Sequence, residues 1–361
     1  MHNPSFSIAV RGVGVVGAFG SGVAALEHAL RNGDVSPDRI EYPGPDGALH
    51  LPAFRAELSA LHDRYSRRTV RRLDRYSRLA LLAGRLALED AGLSDTPQPG
   101  LAVIVASGYG AAATTFAFLD SGLDDGDALA SPTLFSHSVH NAAAAQLAIL
   151  LGATGPCLTV SQFDLSFASA LLSACLWLHE GRVERALVGG VDECCAVLGH
   201  CWERLCAPTS AAPVEPVNWA RQSALPGEGA AFFVLERGET APYGIIRAVQ
   251  ASSAGPGPID ARHDGVRILG AAGHRGCGPA YARLAGRCAA FAAYAPLWGS
   301  FPTAQALDLA AACLCARHAT LFAPPGLDCG PARPLPLAPP MRLACTVMAP
   351  DGASGVISVE R

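Results

Sequence analysis

The chain contains no lysine. That removes the amine most used for Schiff-base formation, and one of the commoner catalytic bases. Its positive charge is carried by 27 arginines against 31 acidic residues, a net charge of −4. No basic run extends beyond Arg71, Arg72 and their neighbours, so nothing suggests a surface that tracks phosphates, and nucleic acid is not an expected partner. Long apolar runs are also missing: none reaches the roughly 20 residues needed to cross a bilayer. The N-terminus, MHNPSFSIAV, lacks the charged region and long apolar core of a secretory leader. The twelve cysteines follow no framework and stand in apolar contexts such as Cys175, Cys288, Cys313 and Cys315, as expected of a reduced, cytoplasmic protein. Cys194, Cys195, Cys201 and Cys206 with His200 come nearest to a metal set. No CxxC pair or second histidine at finger spacing supports them, so no metal or cofactor is expected. Gly12, Gly14 and Gly17 match GxGxxG after a strand, but no acidic residue closes a second strand about twenty residues on, which argues against a dinucleotide site.

What is present is a large alternating pattern. The 361 residues are half hydrophobic, enough for one large or two medium cores. Ser7–Val16 reads as a strand, and Val23–Leu30 as an amphipathic helix ended by Asn32 and Gly33. Pro37–Pro52 reads as a Pro/Gly loop, and 71–92 as a helix closing on Gly92. Leu101–Ser107 is a continuous apolar run, the signature of a strand covered on both faces. A helix is predicted from Asn141. Cys157–Val160 then reads as a strand running into a small-residue helix, 165–180, followed by the strand Ala186–Glu193. Thr209–Pro226 reads as a loop, with strands at Pro226–Arg237 and Ile245–Ala251. A second αβ set fills Leu284 to the C-terminus, with surface loops at Gly255–Pro258 and Pro324–Pro340. Alternation of this kind predicts α/β layers with parallel strands, and the strand-loop-helix order recurring after about residue 245 predicts two related halves, the second short.

The turn at Thr159–Leu171, TVSQFDLSFASAL, carries most information. A nucleophile at such a strand-to-helix elbow meets unpaired N–H groups and the helix dipole, which lower a cysteine pKa. Asp164 occupies that position. Aspartate is also a good N-cap, so the elbow alone predicts an acid or a simple helix cap.

In order, these segments resemble the β-ketoacyl synthase family, of thiolase fold, over nearly the whole chain. IAVRGVGVVGAFGSGVAALEHAL is similar to the family's first strand and helix, and RRLDRYSRLALLAGRLALEDAGL to its signature helix. Ser131–Pro156 is similar to the segment before the elbow, ALVGGVDE to the GGAD strand and LPGEGAAFFVLER to the GEGA strand. The resemblance implies αβαβα layers, with an N-terminal half at 1–244 and a trimmed C-terminal half at 245–361. It also implies that the family's chemistry is gone. That chemistry uses a cysteine to hold an acyl thioester and two histidines to stabilise the charge that develops on decarboxylation. Asp164 stands at the cysteine. AAGHRGC places Ala272 at the first histidine, with His274 two residues on. APLWGSFPTAQALDLAAA places Ala295 at the lysine and Ser300 at the second histidine. The glycine gating loop becomes Met348–Gly352. A carboxylate cannot form a lasting thioester and would repel a malonyl carboxylate, and without imidazoles an enolate has no evident donor.

Within the family such a chain resembles the chain-length factor, the inactive partner of an active ketosynthase in type II polyketide synthesis, with features closer to polyene than to aromatic systems. Aromatic-type factors usually carry glutamine at the elbow, whereas here Gln162 lies two residues before Asp164. The resemblance implies a heterodimer joined through the strand Leu158, Thr159, Val160, Ser161 and Gln162, with an acyl carrier protein and the growing polyketide chain reached through the complex. Tyr109–Leu119 and Pro132–His140 are expected to be loops that reach the neighbouring subunit's acyl tunnel. Tyr109, Thr115, Phe116, Phe118, Phe135 and His137 are the gate residues this implies, with core packing the simpler reading for any one aromatic. His137 and His140 match no catalytic position, while Asp192 and Glu228 match structural ones. Two alternatives remain open: a diverged acyltransferase using another thiol, Cys157 being nearest the elbow, and a homodimeric acyl-binding scaffold.

Overall fold

The computed structural model describes residues 6–44, 47–93, 97–206, 213–253, 265–326 and 330–361. Their long strands join one sheet, in the order Ala290–Ala292, Val266–Leu269, Arg342–Met348, Ser354–Glu360, Ile245–Ser252, Ile8–Gly17, Gly229–Arg237, Arg185–Asp192, Ala102–Ala106, Cys157–Val160. The last three are mutually parallel, as are Ala290–Ala292, Val266–Leu269 and Arg342–Met348 at the opposite end. Antiparallel strands join these two parallel sets through Ile8–Gly17.

Side chains alternate across this sheet because successive residues of a strand face opposite sides. In Ala102–Ala106, Val103 and Val105 pack with the helices Arg75–Asp90 and Ala142–Leu151. Ala102, Ile104 and Ala106 turn the other way, into a core shared with Ser166–His179 and Gln305–Arg317. These two helices are apolar nearly all round, as a helix between two layers must be. The second half adds Gly278–Ala285, which packs on Leu269, Ala271 and Ala293. The layers run αβαβα, as the sequence implies.

Glycine sets one of these contacts. A Cβ on Gly12 would lie 2.3 Å from Ala87 O, and one on Gly14 would lie 2.0 Å from Ala83 O. The GxGxxG spacing therefore lets the first strand press against the helix Arg75–Asp90. Asp74 caps that helix, accepting from Ser77 N at 2.7 Å. The charge at the centre of this half is Glu228, fully buried. It accepts hydrogen bonds from Ala56 N and Cys194 N at 2.9 and 3.0 Å and is paired with Arg75.

The structure departs from the sequence reading in three places. Pro37–Pro52 is a hairpin, Asp38–Gly44 with Gly47–Ala53, since alternating Ile40, Tyr42, Leu49 and Leu51 outweigh the turn residues. Tyr109–Leu119 and Pro132–His140 are largely helical, Ala112–Asp125 and Pro132–His137, the latter capped by Ser131 with proline in its first turn. Gly255–Pro258 and the first part of the Thr209–Pro226 loop lie outside the described residues.

Candidate functional site

The strand Cys157–Val160 ends in a turn whose geometry is held by Ser166. Its Oγ accepts from Gln162 N at 2.8 Å and donates to Phe163 O at 2.7 Å. Phe163 takes φ +45°, left-handed for a non-glycine residue, a conformation that costs about 1 kcal/mol or more and needs such support. Asp164 follows, and among the described residues no N–H is bonded to it: the Ser166 hydroxyl, rather than Asp164, closes the turn. The expected cap is thus absent, because the carboxylate points into a cavity.

That cavity, of about 470 Å³, lies between the elbow and the loops of the second half. All four replaced family positions line it: Asp164, Ala272, Ala295 and Ser300. Tryptophans 202, 219 and 298, Phe163, Phe301 and Met348 make most of the remaining wall apolar. The size and lining fit a small-molecule site.

Asp192 holds the walls in place. Its Oδ1 accepts from Ser107 Oγ at 2.7 Å and from Gly108 N and Tyr109 N, both at 2.9 Å. Its Oδ2 accepts from Thr303 N and Thr303 Oγ1 at 3.0 and 2.8 Å. One buried carboxylate therefore ties the loop after Ala102–Ala106 to the turn before Gln305–Arg317. Burial pushes its pKa up, against the hydrogen bonds from Tyr109, Ser107 and Thr303 that pull it down.

Charge inside the cavity is acidic. Burial pushes Asp164 up to about 6, with Asp192 and Asp351 adding repulsion. Burial alone pushes Asp308 up to about 7. Sequence reasoning missed Asp308: on a helix this apolar, a single aspartate reads as an isolated polar residue rather than a wall of the site.

The expectation that no imidazole serves this site is corrected. His274 lines the cavity, and its Nε2 lies 2.8 Å from Ser300 Oγ. Burial pulls His274 down to about 4, so the ring is neutral near pH 7. Ala272 is therefore a loss, and His274, two residues on, enters the space by a different route.

The thiols also fall differently from the sequence reading. Cys157 is exposed on the outer strand rather than in the cavity, and burial of part of its side chain pushes its pKa up. Cys277 does line the cavity, where burial, then Asp164 and Asp351, push it up to about 11. A thiol so placed is almost wholly protonated near pH 7 and is a poor nucleophile. Cys201 and Cys206 line the wall as well. Among the described residues no group of three or more His, Cys, Asp or Glu side chains is placed to hold a metal. No helix among them is long and apolar enough to cross a membrane.

Of the gate residues, Tyr109 lines the cavity and the others lie apart from it. Thr115 Oγ1 donates to Ala111 O and Ser138 O, both at 2.9 Å, linking the helices Ala112–Asp125 and Pro132–His137. Phe118 and Phe135 are in ring contact at 5.4 Å, while Phe116 is exposed. His137 Nδ1 stands 3.6 Å from Asp74 Oδ2. His140 contributes its carbonyl to Tyr76 OH at 2.9 Å. Phe116 and Phe135 are exposed, and the strand Cys157–Val160 forms the edge of the sheet. Leu158, Thr159 and Val160 are half-buried there, and Ser161 and Gln162 are exposed.

A central sheet in αβαβα layers, with an elbow whose turn faces a largely apolar pocket, defines a thiolase-like scaffold. The model of the β-ketoacyl synthase N-terminal domain matches residues 6–241, and the chain belongs to that family. It is 30% identical over 250 residues to the polyketide beta-ketoacyl synthase 1 of Streptomyces virginiae, an alignment covering 63% of this chain and 57% of that protein. It is 24% identical over 254 residues to the chloroplast 3-oxoacyl-[acyl-carrier-protein] synthase I of Arabidopsis thaliana, covering 65% and 52%. The chain thus spans between half and three fifths of the length of these relatives. Among solved structures it is similar to the ishigamide ketosynthase/chain length factor, with TM-score 0.81, 19% identity and 99% of both chains covered. A ketosynthase in complex with its chain length factor from Xenorhabdus doucetiae matches with TM-score 0.77 and 19% identity, over 99% of this chain and 98% of that one.

Proposed function

We propose that this chain is a non-catalytic chain-length factor that pairs with an active ketosynthase in type II polyketide synthesis, of polyene type. The observation that carries the reading is the elbow: one cavity is lined by Asp164, Ala272, Ala295 and Ser300, at the positions where the family resemblance expects the groups that perform condensation. Catalysis then belongs to a partner.

The surface supports a partner too. Cys157–Val160 ends the sheet, paired on one side only among the described residues. Eight of the eleven exposed large apolar side chains among those residues fall between Phe116 and Phe163. An unpaired strand beside exposed apolar surface is a template for pairing, and the partner would extend the sheet antiparallel across a two-fold-like axis.

In this reading Phe116, Phe118 and Phe135 face the partner and bound the tunnel in which its acyl chain grows. Added bulk in a tight tunnel costs about 1–3 kcal/mol, enough to favour release at one length. Phe116→Ala with the partner ketosynthase should therefore lengthen the products. Unchanged product length for Phe116→Ala and for the same change at Phe118 and Phe135 removes the gate from the account.

A further inference from the structure

The helices Ala112–Asp125 and Pro132–His137 are held to the body of the protein by little apolar contact. Among their described side chains only Ala112 and Thr114 are buried. Thr115 Oγ1, donating to Ser138 O, joins the two helices into one unit. Segments with so few buried contacts open at a lower free energy than the core does. What seats this pair is polar.

Both helices dock on one acidic cluster. Glu193, buried just after the strand Arg185–Asp192, accepts from Ala113 N with Oε1 at 2.8 Å. Ala111, at the helix start, supplies no side-chain cap, so a carboxyl 80 residues away caps this helix. Its other oxygen, Oε2, is buried with no hydrogen-bond partner among the described residues. His137, which closes the second helix, stands 3.6 Å from Asp74 Oδ2, and its Nδ1 is likewise buried without a hydrogen bond. The ring pairs with Asp74 only when it carries the extra proton.

Asp74, Glu193 and Glu228 put three carboxyls in one neighbourhood, which Arg55 and Arg75 offset only in part. Both guanidiniums are on Glu228: Arg75 Nε donates to its Oε2 at 2.8 Å, and Arg55 Nε lies 3.6 Å from its Oε1. Asp74 is satisfied by Ser77 N and Ser77 Oγ, at 2.7 and 2.9 Å. Tyr76 and the thiols of Cys194 and Cys195 also face the cluster, and add no positive charge. Glu193 is left as the carboxyl least compensated. Burial, with Asp74 and Glu228 adding repulsion, pushes it up from 4.5 to about 7, against the Ala113 N–H and Arg75.

We propose that the two helices form a flap seated on a proton-sensitive latch, closed while Glu193 carries a proton and loosened when Glu193 ionises. Lifting the flap withdraws Ala113 and opens the carboxyl to water, where it titrates at its ordinary 4.5. Below 4.5 both states hold the proton, and the flap is seated most firmly. Between 4.5 and about 7 the lifted state releases it first, so seating weakens across that window and the loss is complete above it. Deprotonation of His137, which ends its attraction to Asp74, acts in the same direction. Phe116, Leu119 and Leu123 ride on the flap. A consequence for pairing rests on the proposed partner, whereas the latch is a property of this chain alone.

The test is hydrogen exchange of the full chain without a partner, read by mass spectrometry at about pH 6 and about pH 8 and corrected for the intrinsic pH dependence of exchange. Peptides from 112–125 and 132–137 are expected to lose about tenfold in protection between the two. That is the change required of a carboxyl titrating at 4.5 when lifted and about 7 when seated. Glu193→Gln keeps an oxygen for Ala113 N and cannot ionise, so its flap should be equally protected at both pH values. Flap protection in the unmodified chain that is the same at both, or a tenfold loss that persists in Glu193→Gln, overturns the proposal. Should the variant fail to fold, the two pH values on the unmodified chain still decide.

Discussion

Thr159→Pro is expected to separate this chain from the proposed ketosynthase partner while leaving it folded. In the strand Cys157–Val160, Val103 N donates to Pro156 O and Ser107 N to Val160 O. In a parallel ladder alternate residues bond to the same neighbour, so even-numbered positions face Ala102–Ala106 and Thr159 presents its N–H and C=O outward. Proline there removes a donor that the monomer does not use, a position where edge strands tolerate it. Across a paired interface the same change deletes a backbone hydrogen bond and places a ring where the partner strand must approach. Co-expressed with the cognate ketosynthase, the unmodified chain should elute as a one-to-one complex, and Thr159→Pro as a free subunit with unchanged thermal unfolding. Val160→Pro breaks an inward bond and should destabilise the chain itself. A Thr159→Pro complex that survives would move the interface away from this strand.

Asp164→Asn makes the protein more stable above pH 6 and has no such effect below pH 4. The carboxyl is raised from 3.8 to about 6 in the folded state, first by burial and then by Asp192 and Asp351. Below 3.8 both folded and unfolded chains carry the proton, and no difference arises. As pH rises the unfolded chain releases its proton first, so stability falls through the window from about 4 to 6, and the loss is complete above it. Asparagine mimics the protonated form throughout. The gain above pH 6 is roughly 1–3 kcal/mol, the lower end applying because the cavity leaves the carboxyl partly solvated. That is roughly 1–4 °C in Tm for a chain of this size. Thermal unfolding of both proteins at about pH 4 and pH 8 checks it. A loss of stability at pH 8 would instead mean that the ionised carboxylate caps the helix after all.

The layers were legible because burial on both faces writes itself into the strands. Leu101–Ala106 and Ala186–Val191 carry no polar alternation, and both lie in strands flanked on each side within the sheet. Helix ends were legible where chemistry fixes them: Gly33 takes φ +67° and closes Val23–Asn32. The hairpin Asp38–Ala53 was not, since its alternation is interrupted by Pro43, Gly44 and Gly47, which mark its turn. The site was half legible. Asp164, Ala272, Ala295 and Ser300 are recognised by register with the family and do meet in one cavity. Contacts between distant segments are a different matter. Neither the Gln222 amide beside His274 nor Asp308 carries a local signal, and Cys277 rather than Cys157 proves to be the thiol beside Asp164.

The central claim is that this chain keeps the scaffold of a condensing enzyme and leaves the covalent chemistry to a partner. Intact-mass analysis of the heterodimer after incubation with acyl- and malonyl-carrier protein tests it most directly. The account predicts an acyl adduct on the ketosynthase subunit and none on this chain, since Asp164 cannot hold a thioester and Cys277 is pushed up to about 11. An acyl adduct on this chain, at Cys277, Cys157 or any other residue, would contradict it.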